Sequence, residues 1–445
     1  MVEMYGLDAW IAHGCGLMAP AVNLDNAATT PPFADVTSEV LRQMLYYGSI
    51  GRGTGQKSKH SSTVYEAGRR AILDFLGADD DYTAIYVGNT TDGMNKLACA
   101  LTNCRDGNVL VVSTRMEHHA NDLPWRGRAN MAYVEVDAEG RLILEDFERI
   151  LRRREYKNME KYVTVTAASN VTGYVNDVHA IARIAHKHGA KIIVDGAQIV
   201  AHRQFHMRGQ PGMDEDIDFF VFSAHKMYSP FGGGALVGRK DLLSAHMPQF
   251  CGGGMVVTVS DDAVVYAEVP DLYEAGSPNV PGVIGMLKSI EILQDIGFDY
   301  ISQHEQRLLR MALDGLSEID GVVLYGDNNN IIDRVGMLVF NINGIQPEDT
   351  ANELANIAGI AVRHAAFCAH PYVRRLEGKA PHELCGLVEP PTGMVRVSFG
   401  IYNTEADVDL LVSTIRDIAG ANCGRIMRTN TNYCEAHTKM PNDRA

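Results

Sequence analysis

The stretch DVHAIARIAHKHGAKIIVDGAQ, at residues 177–198, has the pattern of a helix followed by a buried strand. Apolar residues recur on one helical face from Val178 to Ala185, and Gly189 follows where a glycine commonly ends a helix. The short apolar run KIIV comes next and ends at Asp195. This succession predicts one part of a right-handed βαβ unit.

Similar apolar runs recur on both sides of this stretch. The run already quoted is the predicted strand Lys191–Val194. The other predicted strands are Ala84–Val87, Asn108–Val112, Tyr162–Thr166 and Phe219–Phe222. Strands that alternate with helices favour an α/β fold with a mainly parallel sheet covered by helices on both faces.

The pattern changes near residue 285, where strict alternation ends. The predicted helices there are Ile284–Gly297, Tyr300–Leu316 and Pro347–Ala358, and the predicted strands are Val322–Tyr325, Val335–Asn341, Ala361–Arg363 and Met394–Phe399. We predict a large domain at residues 26–285, a smaller α+β domain formed by residues 1–25 and 286–420, and a polar C-terminal tail at residues 421–445.

Composition narrows the possible partners and location. The formal net charge of -15 is unsuited to phosphate neutralisation and argues against a nucleic-acid partner. No run approaches the roughly 20 apolar residues of a membrane span, and the first residues do not resemble a secretory signal. The 8 cysteines form no CxxC pair, and the histidines show no zinc-binding pattern. We therefore expect a soluble, cytoplasmic protein with no metal site.

Reactive side chains follow the predicted strands. Asp195 ends one strand, and the run SAHK places Ser223, His225 and Lys226 at the end of another. A lysine in apolar surroundings can act as a neutral nucleophile, and hydroxyl and imidazole groups can bind phosphate oxygens. The alternatives are an aspartate that caps a turn and a lysine on the surface.

Two further segments follow strands in the same way. GNTTDGMNKLA, at residues 88–98, places Thr90 and Thr91 at a predicted helix start, which is either a phosphate-binding turn or only a helix cap. STRMEHHANDLPW, at residues 113–125, places His118 where an imidazole could stack on a flat cofactor or simply occupy a turn.

Several motifs together resemble the class V aminotransferases, and within them the cysteine desulfurase and selenocysteine lyase group. In chain order they are NLDNAATT (23–30), MEHHAND (116–122), VDGAQ (194–198), SAHKMYSPFGGG (223–234) and VRVSFGIYNTEADVDLL (395–411). The resemblance implies the pyridoxal-phosphate-dependent transferase fold type I, with pyridoxal 5'-phosphate carried by Lys226 as a Schiff base.

The resemblance also implies roles for other residues. Asp195 would pair with the pyridine nitrogen, Gln198 would lie near the phenolic oxygen, and His118 would stack on the ring and move protons. The groups implied to hold the phosphate are Thr90, Thr91, Ser223 and His225, together with Ser277 of the EAGSPN loop from the partner subunit of a homodimer.

An amino-acid substrate would be oriented by three side chains. Asn170 of SNVTG lies near both cofactor and substrate in this resemblance, and Arg396 of VRVSFG would bind the α-carboxylate. Arg52 of GSIGRGTG would be lent by the other subunit.

Cys368 in AVRHAAFCAHPY matches the position of the nucleophile in desulfurases with a short catalytic loop. The prediction is therefore a cysteine desulfurase that converts L-cysteine to alanine, leaves a persulfide on Cys368, and passes sulfur to an acceptor protein. His364, His370 and Arg363 nearby would favour the thiolate. Two departures stand out: the apolar HAAF before the cysteine, and an apparent insertion near residues 376–393 that contains Cys385.

Two alternatives remain open on sequence. Another class V enzyme, such as an aminotransferase, a C–S β-lyase or an epimerase, would use Lys226 and Asp195 without a nucleophilic thiol. A binding or scaffold protein that kept the fold would use neither.

Overall fold

The computed structural model describes residues 3–7, 9–12, 18–51, 53–102, 108–248, 250–379 and 393–421. Its N-terminal elements are the strands β1 (Trp10–Ala12), β2 (Met18–Pro20) and β3 (Val22–Asn23), followed by the helices α1 (Ala34–Met44) and α2 (Gln56–Phe75). The N-terminal region includes a small hairpin, because β1 pairs antiparallel with β2.

The central part of the chain alternates strands and helices, as the sequence predicts. Its elements are β4 (Tyr82–Val87), α3 (Thr90–Thr102), β5 (Val109–Thr114), α4 (His119–Asp122), β6 (Asn130–Val134), α5 (Leu144–Leu151), β7 (Glu160–Thr166), α6 (Val178–Lys187), β8 (Ala190–Asp195), β9 (Phe219–Ser223), β10 (Gly234–Arg239) and α7 (Lys240–Ser244). The helix α6 is confirmed in detail, since Asp177 caps its start and Gly189 beyond its end has φ +69°.

The remaining elements contain the second sheet. They are β11 (Val256–Val259), β12 (Val264–Tyr266), α8 (Val280–Ile296), α9 (Phe298–Ser317), β13 (Val322–Leu324), β14 (Met337–Ile342), α10 (Pro347–Ala358), β15 (Ile360–Ala361), β16 (Arg363–Ala365), α11 (His370–Leu376), β17 (Met394–Ser398) and α12 (Glu405–Ala421).

A seven-stranded sheet in the order β4-β10-β9-β8-β7-β5-β6 forms the larger layer. All neighbouring strands are parallel except at β10, which is antiparallel to both β4 and β9. Two successive antiparallel pairings leave β4 pointing the same way as β9. The carboxyl ends of β4, β5, β7, β8 and β9 therefore lie at one edge of the sheet, where open α/β sheets bind ligands.

A four-stranded antiparallel sheet, β13-β14-β17-β16, forms the second layer. Its apolar face packs with side chains of α9, α10 and α12 around Leu338, Phe340 and Val397. The mainly parallel sheet and the smaller antiparallel sheet confirm the predicted α/β fold class.

Two elements differ from the prediction by more than a shift of one or two residues at their ends. The single strand predicted at Ala361–Arg363 is two strands, because the chain changes partner after Ala361: β15 pairs with β3, whereas β16 pairs with β17. The helix predicted to begin at Ile284 begins at Val280, because the side chain of Asn279 accepts a hydrogen bond from the Gly282 amide and caps the turn.

Candidate active site

The carboxyl ends of the strands border a cavity of about 500 Å³. The structure brings together most of the residues predicted from sequence, for the cavity is lined by Thr90, Thr91, His118, Asn170, Asp195, Gln198, Ser223, His225, Lys226, Cys368 and Arg396. Residues from both sheets contribute, since Lys226 follows β9 and Arg396 lies on β17. A cavity of this volume lies within the range of small-molecule and cofactor sites.

Lys226 closes a short 3₁₀ turn, Ala224–Lys226, directly after β9. This turn is fixed from the NLDNAATT segment: the hydroxyls of Thr29 and Thr30 donate to the carbonyl oxygen of His225, at 3.0 and 3.2 Å. Tyr228 then adopts φ +63°, a conformation that non-glycine residues rarely take. The lysine therefore projects into the cavity from a backbone with little freedom to move.

Burial lowers the pKa of Lys226 to about 8, with Asp195 opposing and Arg396 adding to this shift. A lysine with this pKa is neutral in a useful fraction of molecules near neutral pH, as nucleophilic and proton-transferring lysines require.

Asp195, the last residue of β8, is 3% exposed. Burial raises its pKa, while a hydrogen bond from the Ala197 amide to Oδ1, at 2.9 Å, acts against the rise. A carboxylate in such surroundings is stabilised by a cationic partner in the cavity.

Gln198, in the next turn, donates from Nε2 to the carbonyl oxygen of Ala27 at 2.9 Å. Its buried Oε1 has no hydrogen-bond partner among the described residues.

Thr90 and Ser223 bring the start of α3 against the end of β9. The backbone amide of Thr90 donates to Oγ of Ser223 at 2.7 Å, and the two hydroxyl oxygens lie 2.8 Å apart. Burial, reinforced by the charge of Lys226, lowers the pKa of His225 to about 4. A helix N-terminus with two hydroxyls and an imidazole beside it is suited to a phosphate group.

His118 is the N-cap residue of α4, and its Nδ1 accepts a hydrogen bond from the Ala120 amide at 3.0 Å. Burial, followed by the charges of Lys226 and His119, lowers the pKa of His118 to about 3. The ring is therefore neutral near pH 7, and because Nδ1 is an acceptor we assign its proton to Nε2.

Glu117, beside it, was not predicted as a functional residue. Its buried carboxyl accepts hydrogen bonds from Thr114, Asn121 and the Thr166 amide, and burial raises its pKa to about 8. It ties the histidine turn to the ends of β5 and β7, and no spacing pattern in the sequence signals that role.

Cys368 lies in the connection from β16 to α11, at the exposed side of the cavity. Three non-glycine residues at the end of β16 and in this connection have positive φ: Ala365 at +84°, Phe367 at +52° and Cys368 at +55°. Each such residue costs roughly 1–2 kcal/mol. The strain is held by specific contacts and is typical of functional loops.

Two hydrogen bonds restrain the cysteine loop from the cavity wall. The His119 amide donates to the carbonyl oxygen of Cys368 at 2.7 Å, and Nδ2 of Asn170 donates to that of Phe367 at 2.8 Å. Two of the side chains expected to favour the thiolate have other partners: His370 lies 3.2 Å from the His119 ring, and Arg363 pairs with Asp25.

Arg396, only 3% exposed, lies across the cavity from the strand ends of the large sheet. Its Nη1 donates to the carbonyl oxygen of Asn170 at 2.7 Å and its Nη2 to Oδ1 of Asp25 at 3.0 Å, while the ring of Phe367 lies 5.1 Å from Cζ. Its buried Nε has no hydrogen-bond partner among the described residues. The guanidinium thus retains donor capacity for a carboxylate.

Sequence comparison identifies the family of this chain. The sequence model described as aminotransferase class-V matches residues 22–411. The chain belongs to the class V aminotransferase family.

Within this family, proteins named cysteine desulfurase are similar to the chain. A probable cysteine desulfurase of Halalkalibacterium halodurans is 34% identical over 88% of this chain and 92% of the relative, and a cysteine desulfurase of Haloferax volcanii is 34% identical over 89% of each.

Two solved structures of cysteine desulfurases are also similar to the chain. A cysteine desulfurase of Thermococcus onnurineus matches with a TM-score of 0.80 and 29% identity, over 90% of this chain and 95% of the other. One from Escherichia coli, in an S-sulfonic acid form, matches with a TM-score of 0.76 and 30% identity over the same shares.

Two predicted site residues are not part of the cavity as described. Ser277 is exposed in its loop and does not line the cavity, although the neighbouring Gly276 and Pro278 border a smaller adjoining cavity of about 230 Å³. Arg52 lies outside the described residues, as do Cys385, most of the apparent insertion and the tail after residue 421.

Within the ranges that the structure describes, no set of three His, Cys, Asp or Glu side chains is arranged to bind a metal ion. None of the described helices is long and apolar enough to cross a membrane.

Proposed function

We propose that this class V enzyme is a pyridoxal-phosphate-dependent cysteine desulfurase, converting L-cysteine to alanine with transfer of sulfur to Cys368. The observation that carries the proposal is that Lys226, Arg396 and Cys368 open on one cavity. A cofactor-bearing amine, a carboxylate-binding group and a thiol are then within reach of one small amino acid.

The residues present fit pyridoxal 5'-phosphate. Thr90 and Ser223 offer a polar cradle at a helix start. Among the described residues the buried Asp195 accepts a hydrogen bond from the Ala197 amide and feels the charge of Lys226, and a protonated ring nitrogen would supply a direct cationic partner. Gln198 uses only one of its two amide hydrogens in the described structure, which leaves the other for the phenolic oxygen. Thr91, His118, His225 and Asn170 complete the proposed cofactor site.

Bound pyridoxal phosphate supplies an electron sink that makes the bonds at the substrate's Cα and Cβ easier to break. Asp195 would pair with the protonated ring nitrogen, whose positive charge that sink requires. Lys226, with a pKa of about 8, takes a proton from Cα and returns one. The neutral His118 ring would hold the cofactor by stacking and offers its Nε2 proton.

Arg396 and Asn170 orient the amino acid. The free donors of Arg396 bind its α-carboxylate, which fixes the direction of the side chain toward the cysteine loop. Arg52 from the partner subunit is a further proposed contact.

Cys368 performs the sulfur step as a thiolate. Its Sγ forms a bond to the substrate sulfur, the Cβ–S bond breaks, and the electron pair of that bond stays on Cβ, which takes a proton. The products are alanine and a persulfide on Cys368. Exposure of the residue suits the next transfer, in which an acceptor thiol removes the outer sulfur.

A homodimer, an acceptor protein and a cytoplasmic location belong to the same proposal. The exposed loop around Ser277 supports the dimer, because it borders the cavity that adjoins the phosphate cradle at Gly88 and Gly232. Thiolate and persulfide chemistry requires a reducing compartment, which supports the cytoplasm.

Product analysis with L-cysteine tests the reaction. We expect Cys368→Ala to lose alanine and sulfide formation at least a hundredfold while retaining its cofactor absorbance, and Lys226→Ala to lose both. Cys251→Ala is the matched control, since Cys251 is also exposed but does not line the cavity. Unchanged turnover in Cys368→Ala would refute the proposed thiol step. Pyruvate and ammonia in place of alanine would indicate the lyase alternative.

A further inference from the structure

Asp25 connects two arginines of the cavity. Its Oδ1 accepts from Nη2 of Arg396 at 3.0 Å, and its Oδ2 lies 2.9 Å from Nη2 of Arg363. The two arginines face each other across neighbouring strands, because Arg363 on β16 is in register with Arg396 on β17. One carboxylate thus bridges two cations that would otherwise repel each other.

Arg363 is the more accessible of the two arginines. Its side chain is 50% exposed and lines the cavity, whereas that of Arg396 is 3% exposed. Asp25 is not part of the cavity lining, and its side chain is 17% exposed. The carboxylate therefore neutralises the arginines from behind, without meeting the ligand.

The charges of these three groups sum to one net positive charge at the cavity wall. That balance matches an amino acid whose only anionic group in this region is the α-carboxylate. The pKa of Arg396 reflects the same opposition, since burial lowers it most, Asp25 raises it and Arg363 lowers it further.

We propose that Asp25 is a specificity-determining residue that masks Arg363 as a second anion-binding position, so that the cavity selects amino acids with uncharged side chains over those with an acidic side chain. The proposal rests on the proposed function only in taking an α-amino acid as the ligand. It does not depend on the sulfur step.

Charge-changing variants test the masking. Removing the carboxylate in Asp25→Asn leaves two positive charges, removing the arginine in Arg363→Gln leaves none, and the double variant restores one. The measurement is calorimetric binding of L-aspartate and L-asparagine to the cofactor-loaded protein. These ligands have the same shape and α-carboxylate, so the ratio of their dissociation constants reports only the side-chain charge.

We expect preference for L-aspartate over L-asparagine to rise about tenfold in Asp25→Asn, the size of one partly screened charge pair. It should fall in Arg363→Gln and return to the wild-type ratio in the double variant. Arg363→Lys keeps the positive charge but changes the shape of the side chain. Its ratio of dissociation constants should stay close to the wild-type ratio if charge alone decides the preference.

An unchanged ratio in Asp25→Asn would overturn the proposal, as would the absence of measurable L-aspartate binding to that variant. If Asp25→Asn does not fold, the same ratio is measured in Asp25→Ser, which also removes the carboxylate and should raise the preference for L-aspartate. Alanine formation from L-cysteine by the wild type is measured separately, so a failed desulfurase assignment cannot be mistaken for failed masking.

Discussion

Lys226 gives the cofactor-free protein a distinctive dependence of stability on pH. Burial lowers the pKa of this lysine from its ordinary value of 10.5 to about 8 in the folded state. Below about pH 8 the amine is charged in both the folded and unfolded states, and the folded state carries the full cost of burying that charge. Between about pH 8 and 10.5 the folded state loses the proton first, so stability rises with pH; above 10.5 the cost has disappeared.

The size of this effect follows from the pKa difference. A shift of this extent corresponds to about 3.4 kcal/mol of unfolding free energy if the amine is fully buried. Lys226 is only partly buried at the cavity wall, so solvent screening reduces the expected cost to about 1–2 kcal/mol. Lys226→Met should therefore gain about 1–2 kcal/mol at pH 7, beyond any constant gain from the apolar side chain, and lose that excess by pH 10.5.

Urea unfolding of cofactor-free wild type and Lys226→Met at pH 7, 9 and 10.5 measures the difference in unfolding free energy. Lys59→Met, on an exposed position of α2, is the control and should give a difference that is independent of pH. A difference between Lys226→Met and wild type that stays constant from pH 7 to 10.5 would refute the assignment of a lowered pKa to this amine.

Three further predictions concern neighbouring groups. Ser223→Ala leaves the Thr90 amide without its hydrogen-bond acceptor and should weaken pyridoxal phosphate binding about 5- to 30-fold in an absorbance titration. Unaltered affinity would show that Thr90 and Ser223 do not form the phosphate-binding cradle. His118→Ala removes a helix cap and should cost about 1 kcal/mol of stability in urea, whereas His118→Asn keeps the cap and should retain most of it; equal losses would contradict the capping role. Ala365→Gly relieves a left-handed residue and should stabilise by about 0.5–1 kcal/mol, while the control Ala366→Gly should destabilise; thermal unfolding with the opposite order would argue against strain.

Much of the fold was predictable because local pattern and topology agree. The apolar runs at Ala84–Val87 and Lys191–Val194 lie within β4 and β8, and the residues that follow them meet at one sheet edge because the strands point the same way. The antiparallel β10 was not predicted. Its direction depends on a short Gly-rich return from Lys226, and strand direction is not encoded in apolar periodicity.

The site was predictable where chemistry follows a strand and unpredictable where it depends on distant contacts. Asp195 and Lys226 are recognised from their neighbours in sequence. The role of Asp25 depends on its contacts with Arg363, which lies 338 positions later in the chain, and with Arg396, which lies 371 positions later. No local spacing pattern in the sequence indicates such contacts. Glu117 escapes notice for the same reason, since its partners lie on β5, α4 and β7.

Asn170 contacts both the substrate-binding arginine and the cysteine loop, which affects how variants at this position are interpreted. The backbone of Asn170 holds Arg396 through its carbonyl oxygen, while its side chain holds the loop through the carbonyl oxygen of Phe367. Left-handed backbone at Phe367 and Cys368 is costly and persists only while such contacts restrain it. Loss of the Asn170 side chain therefore frees the thiol to move while leaving the backbone contact to Arg396 in place. A fall in turnover larger than the fall in amino-acid affinity would report displaced sulfur chemistry, because Arg396, which binds the carboxylate, keeps its contact with the Asn170 carbonyl oxygen.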